Sequence, residues 1–416
     1  MLSSLPLFLS FLTQTTPARE LVALALPTDL PARLALAVPV GGGAWTLALE
    51  RHDLRAPDAF VRVVGAGGRT HDEPPPPATT YRGNVRGEPG SFVTATLRPE
   101  GLQAWIELAE GERFELLPAG GARHRLAPWV PEDFACGAPA APATPEPVDV
   151  LAAHAAPLRP NCLREAEIAF DADYAYYQAK GSSVANVVAA IDTILAQVEH
   201  FYARDVQITY ALTAYVVRTA PFYTPTSGGS LLDQFRTEWV TNQAAIQRDI
   251  AHLMTGEPGS VIEYGGLAYV GVVCNTNVHY GWSMDGANIV GHELGHNWGA
   301  GHCHDVERCN NMCGACFFVG PRTREIILAF RDSRACLDTV PSYALPLAPY
   351  VAPDGAARRK DELANGAPLA FDVLANDADG NCGPLLVREF ERTSAQGGTV
   401  ARAAGAGGKH RDELVY

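Results

Sequence analysis

Residues 292–302 read His-Glu-Leu-Gly-His-Asn-Trp-Gly-Ala-Gly-His, and no other stretch restricts the fold as tightly. Two histidines four residues apart fall on one face of an α-helix, so His292 and His296 can reach a single point with Glu293 beside them. Gly299 then serves as a helix stop. Without a Cβ it accepts the positive φ that most residues resist, and the chain can turn back sharply enough for His302 to reach the same point.

Three imidazoles and a carboxylate at this spacing describe a catalytic zinc site. Three protein ligands leave one position open for a water, which bound Zn²⁺ acidifies, and Glu293 is placed to take that water's proton. A surface helix with accidental histidines is the plain alternative. Another is a module that keeps the metal and has lost the chemistry, but such a site would usually lack the glutamate or one ligand, and all four residues are present.

The eleven-residue pattern resembles that of the metzincin zinc endopeptidases, and His-Glu-Leu-Gly-His-Asn-x-Gly is most similar to their reprolysin (adamalysin) branch. That branch sets a methionine turn beneath the metal soon after the third histidine, and Asn311-Met312-Cys313 fits. It often places Asp directly after the third histidine; Cys303-His304-Asp305 stands there instead, similar to a bacterial-type variant, and leaves the role of Asp305 open. The resemblance implies an α+β fold for residues 161–340, a mixed twisted sheet with long helices and an active-site helix. It implies hydrolysis of internal peptide bonds, with His292, His296 and His302 as zinc ligands, Glu293 as general base and Met312 as a hydrophobic floor.

A length of 416 residues allows two or three domains, and 47% hydrophobic content excludes wholesale disorder. The net charge of −14 has no basic stretch to offset it, which argues against a nucleic-acid partner. The apolar run at residues 2–12 suits the core of a signal peptide over residues 1–18, and no other segment approaches the ~18 apolar residues of a membrane span. A secreted, extracellular or cell-surface protein is expected.

Residues 19–137 carry short alternating runs, such as 60–64 and 92–97, separated by Gly- and Pro-rich turns, and read as a β-rich domain. The segment 81–91, Tyr-Arg-Gly-Asn-Val-Arg-Gly-Glu-Pro-Gly-Ser, resembles the propeptide of reprolysin-type proteases; an unrelated N-terminal β-domain is the alternative. Cys136 lies at its end. A thiolate there can fill the open zinc position and keep the enzyme latent, as a cysteine switch; a disulfide with Cys162 and an unbridged thiol are the other readings. Residues 138–160 form a linker, and Arg159 and Arg164 flank a plausible activation cut.

Within 161–340, Ile168-Ala169-Phe170 reads as a strand. Val184, Val187, Val188, Ile191, Ile194, Leu195, Val198 and Phe201 recur at helical spacing behind Ser182 or Ser183 as N-cap. Val206, Ile208, Tyr210 and Leu212 alternate, giving a strand with one buried face. A second helix is expected over 231–254, ended by Gly256, with His252 structural or exposed. Residues 266–273 read as an edge strand, and the metzincin resemblance makes Gly266, Leu267 and Ala268 the edge to which an extended peptide adds itself. Residues 288–299 form the histidine-bearing helix, and 326–330 belong to the last helix of the domain.

Nine cysteines are present. Six lie from Cys274 to Cys336, where three disulfides are the simplest expectation for an exported protein. A structural zinc drawn from Cys303, His304, Cys309, Cys313 or Cys316 competes. Residues 341–358 are a Pro-rich linker. Residues 359–416 resemble the opening of a cadherin-like or immunoglobulin-like repeat, a partial β-sandwich suited to cell-surface association. Asp372, Asp377 and Asp379 there suit Ca²⁺ or form a solvated turn. The sequence therefore reads as a secreted zinc metalloendopeptidase acting on protein or peptide substrates. The alternative is a catalytically silent metzincin-like adhesion or binding protein.

Overall fold

The structure is a computed structural model, described over residues 20–108, 111–130, 134–137, 163–302, 310–314 and 316–340, with short stretches between 370 and 415. The signal peptide, the 138–160 linker, Cys162, Cys303, His304, Asp305, Cys309, the Pro-rich linker, Asp372, Asp377, Asp379 and Cys382 lie outside the described residues. The chain divides into two compact units, Met1–His52 with Thr79–Val130, and Asp53–Ala78 with Pro131–Tyr416.

The first unit is an antiparallel sheet of eight strands. In chain order these are β1 (Glu20–Ala23), β2 (Arg33–Val40) and β3 (Gly43–Arg51), then, after β4 (Arg55–Val64) and β5 (Thr70–Glu73) of the second unit, β6 (Thr80–Val85), β7 (Phe92–Arg98), β8 (Gly101–Glu107), β9 (Arg113–Pro118) and β10 (Arg123–Pro128). Their spatial order is β1-β10-β9-β8-β7-β6-β3-β2. Alternating apolar residues supply one buried face: Val38, Leu47, Leu49, Val93, Leu102, Ile106, Phe114 and Leu116 share a core. Gly83 of β6 is required by close approach, since a Cβ there would fall 1.9 Å from the Ala48 carbonyl oxygen.

The second unit is built on β11 (Leu163–Ala172), α1 (Tyr174–Ala179), α2 (Val184–Val206), β12 (Ile208–Arg218), α3 (Gly228–Thr241) and β13 (Ile250–Met254). There follow α4 (Gly259–Ile262), β14 (Gly266–Ala268), β15 (Tyr280–Ser283), α5 (Ala287–Asn297), α6 (Pro321–Asp332) and β16 (Asp338–Val340). The sheet order is β14-β15-β13-β11-β12-β4-β5, with β16 also on β11. Strands β15, β13, β11, β12 and β4 run parallel; β14, β5 and β16 are antiparallel to their neighbours. Three short strands, β17 (Ala370–Phe371), β18 (Ala401–Ala403) and β19 (Glu413–Val415), pair near the C-terminus.

Helix α2 starts where expected: the Ser183 hydroxyl accepts from the Asn186 N–H. Gln207, in the left-handed region, ends it. It is long and apolar enough to cross a membrane by composition, but most of it is buried inside the fold, and it packs as the core helix.

Three sequence expectations are corrected. The helix expected over 231–254 ends at Thr241, and 250–254 is the parallel strand β13. Ile-Ala-His-Leu-Met is buried throughout, so it lacks the alternation that marks a half-exposed strand and mimics a helix continuation. Gly256 is needed for another reason: a Cβ there would lie 2.4 Å from the Ala175 carbonyl carbon. The strand after α2 begins at Ile208, with Val206 still helical, and both its faces are buried because it is interior to a parallel sheet. The edge strand stops at Ala268, and Gly271 turns the chain at φ +67°. Of the six cysteines from Cys274 to Cys336, Cys274 bridges Cys336 and Cys316 is also disulfide-bonded, while Cys303 and Cys309 lie outside the described residues.

A buried polar cluster ties the sheet to α3. Arg218 forks onto Asp171, Nε to Oδ1 at 2.9 Å and Nη2 to Oδ2 at 2.6 Å, while Tyr223 and Trp239 donate to Asp171 Oδ2. Both ionic partners are fully buried, and the two added donors supply the hydrogen bonds that a buried pair requires.

Candidate metal centre

Helix α5 carries His292 and His296 on one face, and both are buried. Gly299, at φ +94°, ends the helix: its N–H donates to the His296 carbonyl, and the Ala300 N–H to that of Gly295. The reversal brings His302 back. Its Nε2 lies 3.1 Å from Nε2 of His292 and 3.1 Å from Nε2 of His296.

Each helical imidazole is oriented from behind. His292 Nδ1 donates to the Asn311 carbonyl at 2.7 Å and His296 Nδ1 to the Ala300 carbonyl at 2.8 Å. A donor at Nδ1 fixes the tautomer and leaves the Nε2 lone pair aimed at the common point. Burial and the neighbouring His296 pull His292 down to about 3, so it stays neutral, which is the ligating form.

Cys136 completes the cluster. Its Sγ lies 3.4 Å from His296 Nε2, and all four ligand atoms fall within 4.8 Å of one another. Zn–N bonds of about 2.0–2.1 Å and a Zn–S bond of about 2.3 Å imply tetrahedral edges of roughly 3.3 Å between nitrogens and 3.6 Å from nitrogen to sulfur. The spacings match. Three imidazole nitrogens and a thiol converging there are a donor set suited to a tetrahedral cation.

Glu293 faces away from solvent entirely, and among the described residues no N–H or O–H group donates to either carboxylate oxygen. Burial pushes it up to about 8, with the Cys136 thiol acting in the opposite direction. Gly266 of β14 sits over it; a Cβ there would be 2.4 Å from Oε1. Met312, 1% exposed, packs under the helix against Gly295, where a Cβ would fall 2.4 Å from its Sδ. Asn311 holds the turn by donating to the Gly291 carbonyl at 2.9 Å, and Tyr202 donates to that carbonyl at 2.7 Å.

The outer side of β14 is taken by residues 134–137. The Gly265 N–H donates to the Ala135 carbonyl at 2.7 Å and the Gly137 N–H to the Gly266 carbonyl at 3.1 Å. Cys136 pairs with Gly266 in parallel. Phe134 sets its ring edge-on to His292, centroids 5.1 Å apart, and Gly137 lies where a Cβ would meet the Tyr264 ring. Gly266, Leu267 and Ala268 thus form the sheet edge beside Glu293. His252 is buried, its Nε2 2.8 Å from Ser283 Oγ, and stands apart from the cluster as a packing residue.

Sequence reasoning did not find Phe134, Asn311, Tyr264 or the carbonyl of Ala300. Only Asn311 carried a signal, as the neighbour of Met312.

Residues 163–322 match the family model Reprolysin_5, described as metallo-peptidase family M12. The match supports a zinc metalloprotease of the metzincin type and, with it, a zinc cofactor and protein substrates. No curated protein matches the chain. Among solved structures, one titled "Structure of a chaperone-substrate complex" is similar at 11% identity and a TM-score of 0.34, over 65% of this chain and 44% of that one. The chain spans less than half of that protein's length.

Proposed function

We propose that the protein is a secreted zinc-dependent endopeptidase, made as a latent precursor and hydrolysing internal peptide bonds. The observation that carries this is the convergence of His292, His296 and His302 through Nε2, each helical ring held by a carbonyl at Nδ1, beside a buried carboxylate. His292, His296 and His302 would hold a zinc ion, which would supply Lewis-acid chemistry toward water and the scissile carbonyl. Glu293 takes the proton from the attacking water and hands it to the departing amine nitrogen.

The edge residues Gly266, Leu267 and Ala268 bind the substrate main chain as an added strand, and Met312 supports the ligands from below. Cys136 supplies the fourth ligand of the latent form and shuts water out, while the backbone of 134–137 fills the substrate's place. The intact glutamate and ligand set weigh against a silent adhesion module.

The test is hydrolysis of a quenched peptide library by the chain carrying Cys136→Ala, beside the same chain with Glu293→Ala added. Chelator-sensitive cleavage in the first and none in the second supports the assignment. No cleavage by a folded, zinc-loaded Cys136→Ala chain overturns it.

A further inference from the structure

The hairpin of β4 and β5 interrupts the first unit in sequence yet lies in the protease sheet. Strand β4 runs parallel to β12 from Arg55, opposite Leu212, to Val64, opposite Arg218. The Leu212 N–H donates to the Leu54 carbonyl at 2.7 Å and the Thr219 N–H to the Val64 carbonyl at 2.9 Å. Val61, Val63 and Val64 are buried, and Val64 and Phe60 pack with Leu231, Phe235 and Trp239 of the protease core.

Two charged groups lock the hairpin. Arg55 ion-pairs with Asp192 of α2, the side chains only 7% and 8% exposed, and its Nε donates to the Tyr215 hydroxyl at 3.0 Å. Tyr215 in turn donates to Asp192, and Arg55 also reaches the Pro76 carbonyl. Arg62 forks onto Asp72 at 2.8 Å twice and donates to Gln243 at 2.9 Å; Gln243 donates to Glu238, the partner of Arg218. Taking the hairpin away would leave Asp192 buried without its cation and the β12 edge without its hydrogen bonds, both of them costly.

We propose that residues 53–78 are a permanent strand pair of the protease body, held on the β12 edge without need of a covalent link. A cut between residues 138 and 160 then leaves the two pieces associated and Cys136 over the histidines. The strand assignment stands on its own geometry; the consequence for Cys136 rests on the protease reading. Release of the thiol needs a second cut between residues 78 and 136, or forced separation of the pieces.

The experiment places a recognition sequence for a site-specific protease in 138–160 of the Glu293→Ala chain, cuts it, and passes the product over a sizing column at about 100 nM. Co-elution of both pieces is expected, as is hydrogen exchange at Leu212 and Thr219 as slow as in the uncut chain. Separation at once, or exchange at these amides more than ~100-fold faster after the cut, overturns the proposal. Arg55→Ala, introduced in the uncut chain and checked for native circular dichroism, should raise the concentration needed to hold the pieces together about 100-fold; unchanged retention overturns the role given to the Arg55 cluster. In the chain with Glu293 intact, cutting alone should raise peptide hydrolysis less than about tenfold. Full activity with the pieces still together would overturn the latch and leave the strand assignment standing.

Discussion

Alanine in place of Gly295 should damage the metal centre although it is the better helix former. A Cβ at this position would lie 2.4 Å from Met312 Sδ, 3.3 Å from its Cε and 3.5 Å from Asn311 Nδ2. Ordinary contact is about 3.5–4 Å, so the turn must yield by roughly 1 Å or more. Helix propensity favours alanine by about 1 kcal/mol, while overpacking of a filled site costs about 1–3 kcal/mol. The net effect on stability is a loss between ~0 and ~2 kcal/mol. The larger consequence falls on zinc. The turn that must move carries the Asn311 carbonyl that orients His292 at 2.7 Å, and losing such a partner weakens metal binding about 10–100-fold. Zinc titration against a chromogenic chelator, in a Cys136→Ala background so that only the histidines bind, reads this directly. A variant with unchanged zinc affinity and a higher melting temperature would refute the argument, because propensity alone would then govern the site.

Asp173 caps α1, accepting from the Tyr176 N–H at 2.6 Å and the Gly256 N–H at 3.1 Å, and burial raises it to about 6. A raised acid stabilises the fold fully below its unfolded pKa near 3.8 and loses that stability as pH rises through 6, about 3 kcal/mol in all. Asp173→Asn keeps an acceptor and should flatten that part of the stability profile between pH 4 and 6 in urea titrations; an unaltered slope counts against it. His252 behaves oppositely: burial lowers it to about 3. Its contribution is complete above about pH 6.5 and falls by roughly 1.4 kcal/mol per unit as pH drops toward 3, a slope that His252→Gln should remove. The Cys274–Cys336 bridge closes a separation of 62 residues, so Cys274→Ser with Cys336→Ser should cost about 4 kcal/mol on the chain-entropy account. Calorimetry showing under ~1 kcal/mol would mean the unfolded chain is already compact there.

How much of this was legible in the sequence depended on how local each cause was. Ser183 and the apolar spacing from Val184 to Phe201 mark a helix because cap and stripe both act within a few residues, and α2 begins and packs as they imply. His292, His296, Gly299 and His302 lie within eleven residues, so their convergence is set by helix geometry and one left-handed glycine. Residues 250–254 misled for the converse reason. A strand buried on both faces has no alternation to read, and what makes it a strand is its pairing with β11 and β15, far away in sequence. The capture of β4 by the protease sheet was equally hidden: Phe60 to Val64 alternates as any strand does, and nothing within it says which sheet it joins.

The metal centre shows the same division within a single site. Ligand side chains leave a signature because only histidine provides such a nitrogen at that reach. The groups that hold them are the carbonyls of Asn311 and Ala300, and every residue has a carbonyl. What the sequence can encode is the room for those carbonyls to arrive. Gly295 does this by admitting Met312 beneath the helix, Gly291 by leaving its carbonyl open to both Asn311 and Tyr202, and Gly266 by letting β14 pass over Glu293. Side chains at these three glycines would displace the methionine turn, the ring of Phe201 or the Glu293 carboxylate, respectively. The glycines around the histidines are thus as much part of the centre as the ligands. They set the distance between helix, turn and sheet edge, and that distance decides whether three imidazoles, a carboxylate and a peptide strand can meet at one point.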